Sequence, residues 1–370
     1  MSLIAQLAAA VVAAPLSLAP SATEPVGGEL LGTAGAPVVS PAAGVPGLPE
    51  VEAAAWLVAN ADTGVVLAAY DAHVPLPPAS TIKLLTALAV LPAVDAESYT
   101  ASEENGHVEG SRVGIVPGQT YSLADLEHGL FLASGNDAAY GLAELVGGLP
   151  AAVDLMNAEA ARIGAFDTRA QTPHGLDEPG QVSSAYDLAL FGRAVLADAE
   201  LAEIARTPTY DFPGVDGETF QIQNQNRLLG SYDGAIGLKT GYTTDAGHTL
   251  VAAAERDGVR LVVTVLHTEG RGESAAAALL DWGFEATGTA EPVGVLVTPE
   301  DVATAAAQVD DAADGTQAPQ GGNQAAAETS GVALGRAVPS WWPVGMAALA
   351  GLGLLALALR RRRSRGRYAA

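Results

Sequence analysis

Two lysines occur in 370 residues, Lys83 and Lys239, while sixteen arginines carry the remaining positive charge. A lysine amine can give up its proton inside a protein and an arginine guanidinium cannot, so these two positions are the places to look for amine chemistry. Lys83 closes Ser80-Thr81-Ile82-Lys83, and Lys239 opens Lys239-Thr240-Gly241. Residues three apart on a helix share a face, so the Ser80 hydroxyl and the Lys83 amine can meet. A serine hydroxyl is a weak nucleophile until a neighbouring base takes its proton, and Lys83 can act as that base if burial or nearby positive charge lowers its pKa.

Between the lysines lies Ser134-Gly135-Asn136. A hydroxyl there could relay a proton to a leaving group, and the Asn136 amide can both donate and accept. In isolation such a triplet is more often a helix N-cap. At the third motif, a lysine and a threonine on an edge strand could hold a carboxylate, and Gly241, lacking Cβ, would let an extended ligand lie close. Each motif alone is a weak signal. Their order, with the only two lysines filling the two lysine slots, makes them one strong signal.

The elements that must position these residues follow from pattern. Ala55 to Asn60 and Val65 to Tyr70 read as strands joined by a turn at Asp62-Thr63-Gly64. An apolar run from Ile82 to Leu91 ahead of Pro92 predicts a buried helix with Ser80 in its first turn. Ser122-Leu123-Ala124-Asp125 is a capping box, and further helices are predicted near Asn136, over Ala151 to Ile163 and over Tyr186 to Leu196. Leu250 to Glu255 and Arg260 to His267 flank Asp257-Gly258, a hairpin signal, and Ala275 to Trp282 predicts a closing helix. Strands at both ends with helices between them predict an α/β chain of α+β type, its sheet assembled from the two ends of one domain.

Composition narrows the classes. The chain is 49% hydrophobic with a net charge of −24, and six of its arginines lie in the last eleven residues, leaving 12 basic against 42 acidic residues before them. Such a body repels nucleic acid. With no cysteine, disulfides, thiolate metal sites and cysteine nucleophiles are excluded, and the six histidines show no metal-ligand spacing. Residues 1–22 read as a signal peptide and 23–49 as an N-terminal linker. Residues 50–290 form the expected catalytic domain, 291–340 an acidic Ala/Gln/Gly-rich stalk, 341–359 a transmembrane helix and 360–370 a basic cytoplasmic tail. The expected location is the cell membrane, single-pass, with the domain outside.

Ser-x-x-Lys, Ser-x-Asn and Lys-Thr-Gly in this order resemble the low-molecular-mass penicillin-binding proteins, the serine D-alanyl-D-alanine carboxypeptidases, over residues 50 to 288. Pro78 to Ala87, Leu132 to Ala139 and Gly237 to Thr243 with Ala246-Gly247 look like the family's three blocks, and His174-Gly175-Leu176, Ser184 to Ala189 and Leu279 to Phe284 are familiar landmarks. The resemblance implies a penicillin-binding/β-lactamase-like serine transpeptidase fold, an antiparallel sheet flanked by helices with a helical subdomain. It implies that Ser80 attacks the penultimate D-Ala carbonyl of a peptidoglycan stem peptide ending in D-Ala-D-Ala, with Lys83 as base and Ser134 assisting proton transfer. Asn136, Lys239, Thr240, Gly241, Tyr242 and Thr243 would bind substrate, the backbone N–H groups of Ser80 and Tyr242 would form an oxyanion hole, and β-lactams would acylate Ser80. The resemblance also implies that neither a metal nor an organic cofactor is needed. Tyr242 stands where relatives often carry His or Thr. No Glu-x-x-Leu-Asn segment, which class A β-lactamases use for deacylation, lies between Ser134 and Lys239. A D,D-endopeptidase or transpeptidase, a β-lactamase and a catalytically inactive wall-binding scaffold remain alternatives on the same fold.

Overall fold

The computed structural model describes residues 25–314. In chain order its elements are β1 (Val38–Val39), β2 (Ala55–Asn60), β3 (Val65–Tyr70), α1 (Lys83–Val90), β4 (Ser98–Thr100), β5 (Thr120–Ser122), α2 (Leu123–Phe131), α3 (Asn136–Leu145), α4 (Leu149–Ile163), α5 (Ala185–Ala197) and α6 (Ala199–Arg206). They continue as β6 (Thr209–Pro213), β7 (Thr219–Gln223), α7 (Leu228–Ser231), β8 (Ala235–Thr243), β9 (Gly247–Arg256), β10 (Val259–Thr268), α8 (Gly272–Ala286), β11 (Gly294–Val295) and α9 (Pro299–Asp314).

The main sheet runs β1-β3-β2-β10-β9-β8, all antiparallel, with β11 also on β3. Strand side chains alternate between faces. Trp56 and Val58 of β2 point into a layer closed by Leu279, Leu280 and Trp282 of α8. Leu57 and Ala59 point the other way, into a core shared with Leu188 and Phe191 of α5. Both faces are covered, which is why β2 and β3 read as nearly unbroken apolar runs. The predicted α+β architecture, an antiparallel sheet flanked by helices, is the fold observed.

Helices α2, α3 and α4 gather around α1 to form the helical region. The capping box is present: Ser122 Oγ accepts from the Asp125 N–H at 3.1 Å while an Asp125 oxygen accepts from the Ser122 N–H at 2.7 Å. The turn carrying Ser80, Ala79–Ile82, is a 3-10 segment running into α1 and lies against β8 and β9.

The segment read as a linker is, from residue 25 on, part of the domain. Leu31 is buried, β1 pairs with β3, and Trp282 Nε1 donates to the Pro46 carbonyl at 3.0 Å. The start of the segment read as a stalk is ordered likewise. β11 pairs with β3, and the Arg193 guanidinium donates to the Leu296 carbonyl at 2.9 Å. The lack of a regular period concealed both segments, because each contributes backbone pairing and one or two buried side chains rather than a periodic face. The predicted signal peptide, the rest of the predicted stalk, and the predicted membrane helix and basic tail lie outside the described residues. Among the described residues no single helix is long and apolar enough to cross a membrane.

Candidate active site

The Ser80–Lys83 pair forms as the spacing requires, with Nζ 2.9 Å from Oγ. Ser80 sits in the 3-10 turn and Lys83 at the first position of α1, so three residues make one turn. Ala79 just before it adopts φ 49°, a left-handed conformation that L-residues rarely take, and Ser134 does the same with φ 56°. Both strained residues border the same cleft.

Lys83 is 1% exposed, and its amine has two further partners, Asn136 Oδ1 at 2.7 Å and the His174 carbonyl at 2.6 Å. Asn136 is oriented by its other end, since Nδ2 lies 2.7 Å from the Glu109 carbonyl, an obligate acceptor, which leaves Oδ1 facing Lys83. Two of the three contacts on Nζ are therefore with groups that can only accept. The third is a hydroxyl, which can donate. An ammonium can donate to all three, with the Ser80 hydroxyl turned to the His174 carbonyl at 3.4 Å; once neutral, the amine can donate to Asn136 and His174 and accept from Ser80, the arrangement a base requires. Burial pushes the Lys83 pKa well below the ordinary lysine value, the Lys239 charge pushes it further, and Asp137 opposes both.

Asn136 is held by α3, whose start is clamped to the preceding loop. The Asn136 N–H donates to the Ser111 carbonyl at 2.7 Å, and the buried Asp137 carboxylate accepts from the N–H groups of Val113, Gly114 and Ile115 at 2.8–3.0 Å. The second Nδ2 hydrogen of Asn136 and the second lone pair of Oδ1 are what this amide could offer a ligand.

Lys239, Thr240 and Gly241 lie on β8, the end of the strand path. Lys239 is also 1% exposed and its Nζ donates to the Thr240 carbonyl at 2.9 Å; burial lowers its pKa to about 7. Gly241 is required by close approach. A Cβ there would stand 2.8 Å from the Ser80 nitrogen and 2.4 Å from Thr249 Oγ1. The strand thus lies directly on the turn carrying Ser80, and Thr249 Oγ1 of the neighbouring β9 fastens that turn to the sheet by donating to the Pro78 carbonyl at 2.9 Å. Tyr242 is exposed, its ring tilted against His248 at 4.6 Å. The Thr243 hydroxyl donates to Asp177 and accepts from the Ala246 N–H at 3.0 Å, so it joins the turn after β8 to the loop that carries His174.

Of the residues singled out from sequence, Ser80, Lys83 and Asn136 are joined by hydrogen bonds and β8 brings Lys239, Thr240 and Gly241 against the Ser80 turn, whereas Ser134 is buried just before α3, Tyr242 is exposed and Thr243 bonds to Asp177. His174 was singled out only as a landmark, and its contribution is a backbone carbonyl that no residue type advertises. The signal was Gly175 beside it: with φ 89°, a Cβ at 175 would fall 2.1 Å from the Ala79 carbonyl. Among the described residues no group of three or more His, Cys, Asp or Glu could hold a metal ion.

The sequence pattern of the D-alanyl-D-alanine carboxypeptidases matches residues 42–270. The chain is 45% identical over 254 residues to the D-alanyl-D-alanine carboxypeptidase DacB2 of Mycobacterium tuberculosis, covering 66% of this chain and 87% of that relative. It is 36% identical to DacC of Escherichia coli, covering 66% of this chain and 64% of that longer protein. Among solved structures, a D-alanyl-D-alanine carboxypeptidase from Mycobacterium tuberculosis superposes with a TM-score of 0.66 at 43% identity, over 69% of this chain and 98% of that one. A mutant of the Streptomyces K15 DD-transpeptidase gives 0.61 at 28% identity, over 64% and 99%. A buried amine 2.9 Å from a serine hydroxyl, a second buried lysine on the facing strand and this extent of likeness lead to one conclusion: the chain belongs to the D-alanyl-D-alanine carboxypeptidase family.

Proposed function

We propose that the chain is a serine D-alanyl-D-alanine carboxypeptidase that removes the terminal D-Ala from peptidoglycan stem pentapeptides through an acyl-enzyme on Ser80. The observation that carries this reading is the set of three contacts on Lys83 Nζ. Lys83 takes the Ser80 proton as Oγ attacks the penultimate D-Ala carbonyl. The N–H groups of Ser80 and Tyr242 receive the developing oxyanion, where fixed donors act most strongly. Ser134 passes a proton to the departing D-Ala amine, and Asn136 orients Lys83 and the peptide. Lys239 and Thr240 hold the terminal carboxylate, whose charge restores the Lys239 ammonium, and Gly241 lets the peptide lie along β8. Water then releases the acyl group. β-Lactams, which present an activated amide to the same serine, form the corresponding adduct.

The test is acylation by labelled penicillin followed by D-Ala release from a stem pentapeptide. Wild type should carry label on Ser80 and release D-Ala; Ser80→Ala should do neither, and Lys83→Arg should lose at least about 10²-fold in acylation. A labelled Ser80→Ala, or normal acylation in Lys83→Arg, would overturn the reading. The likeness to a DD-transpeptidase supports a second outcome, capture of the acyl group by an amine, read by adding a D-amino acid acceptor to the same assay.

The family acts on the cell wall, and the chain's ends fit an exported enzyme with residues 341–359 in the membrane and 360–370 in the cytoplasm. An uncharged stretch of membrane-spanning length followed by clustered arginines supports this placement. Release of a chain cut before residue 341 into the medium would support it; full-length protein found free of membranes would sink it.

A further inference from the structure

The loop carrying His174 is closed at its neck by two backbone hydrogen bonds, Arg169 N–H to the Val182 carbonyl at 2.9 Å and Val182 N–H to the Arg169 carbonyl at 3.1 Å. A carbonyl at the tip of a loop serves as a fixed acceptor only if its peptide plane is held, and loops are ordinarily the mobile part of a fold. The returning arm supplies Gln181, which is 4% exposed. Its Oε1 accepts from the Gln171 N–H at 3.1 Å, the Thr172 N–H at 2.9 Å and the Thr172 hydroxyl at 3.1 Å. Its Nε2 donates to the Leu176 carbonyl at 2.7 Å. One amide therefore grips the chain two residues before and two residues after His174.

We propose that Gln181 is a positioning residue for proton transfer at Ser80: by pinning residues 172 and 176 it holds the His174 carbonyl on the Lys83 amine and keeps the remaining lone pair aimed at the nucleophile. This rests on the reading of Lys83 as the base. Without the grip, the carbonyl moves, the amine turns about its terminal bonds, and water enters beside it. The charged and titratable groups around that amine are Lys239 from β8, Asp137 from α3 and the His174 imidazole from the loop itself. Gln181→Ala leaves Lys239 and Asp137 in place and adds no charge, so in that variant a changed proton affinity reports the amine's hydration and its contacts with the His174 loop; Gln181→Glu is read for its rate, since its added carboxylate can itself shift the limb.

The experiment is the pH dependence of penicillin acylation in wild type, Gln181→Ala, Gln181→Glu and Lys83→Arg, with thermal unfolding of each. Gln181→Ala should lose about 30-fold or more in the acylation rate constant, as misplacement of a reacting group by about 1 Å does. Its β-lactam binding constant should change less than about threefold. The acid limb of its profile should move up by about one pH unit, because hydration relieves the burial that makes the amine acidic. Gln181→Glu keeps an acceptor for residues 171 and 172, and should fall between wild type and the alanine variant. Acylation in Gln181→Ala within threefold of wild type, with an unmoved limb, overturns the proposal. A rate loss with an unmoved limb and no recovery in Gln181→Glu also overturns it, since that is what simple loss of loop support produces. If the alanine variant does not fold, the same rate criterion is applied to the glutamate variant. Normal acylation in Lys83→Arg would remove the base reading itself; a dead Lys83→Arg beside a normal Gln181→Ala would remove only the role of Gln181.

Discussion

Two buried lysines set the chemistry of the cleft and also its cost. With a pKa of about 7 in the fold against ~10.4 in an unfolded chain, Lys239 binds a proton on unfolding anywhere between these values. Stability therefore rises as pH climbs through that window, and near neutrality the fold carries a penalty for keeping the amine. Lys239→Met, which preserves length and removes the amine, should raise stability at pH 7.5 by roughly 2 kcal/mol or about 4 °C, while D-Ala release collapses. Loss of that positive charge should also raise the Lys83 pKa, moving the acid limb of acylation to higher pH. A melting curve and a pH–rate profile of one variant check both signs. At this scale the sequence was highly legible, because scarcity of lysine marked the two amines. His174 was not, since its working atom is a carbonyl common to every residue.

At the scale of elements, the cleft depends on how the start of α3 is fastened. Asp137 accepts the N–H groups of Val113, Gly114, Ile115 and Ala138, fixing the loop against the helix that presents Asn136. Asp137→Ala strands several buried donors at once, each worth about 1–3 kcal/mol. Unfolding should come roughly 3–5 kcal/mol earlier in a denaturant titration. Acylation should fall as Asn136 loosens, and because Asp137 favours the Lys83 ammonium, the acid limb should move to lower pH, opposite to its direction in Lys239→Met. An unchanged melting point would show that the clamp is not what holds α3. Elements with strong periodicity were read almost to the residue: β2 and β3 end where the apolar runs end, and the hairpin of β9 and β10 turns at Asp257-Gly258. The hairpin of β6 and β7 was not seen, because Phe212 and Ile222 are its only fully buried side chains and the pattern around them is polar.

The whole molecule treats the two edges of its sheet differently. At one end of the path, β8 lies open beside the nucleophile turn, where an extended peptide can add to it. At the other, β1 and β11 share the outer edge of β3, Val38 and Val39 opposite Ala69 and Ala68, Gly294 and Val295 opposite Val66 and Val65. An unpaired edge invites pairing with other chains, so the segments before residue 50 and after residue 290 close the edge that is not needed for substrate. They also hold each other: the Val295 N–H donates to the Gly27 carbonyl at 2.9 Å, and the Tyr186 hydroxyl on α5 donates to the Val295 carbonyl at 2.8 Å. Leu31, 1% exposed, is the apolar anchor of the first segment. Leu31→Ala should therefore cost about 2–4 kcal/mol, as truncation of a buried leucine does, and a chain beginning at residue 50 should lose at least as much. Acylation by penicillin at low temperature should persist in Leu31→Ala, because the anchor lies at the edge of the sheet opposite the cleft. Equal melting points for wild type, Leu31→Ala and the shortened chain would mean that residues 25–49 contribute nothing to the fold and serve as a tether alone.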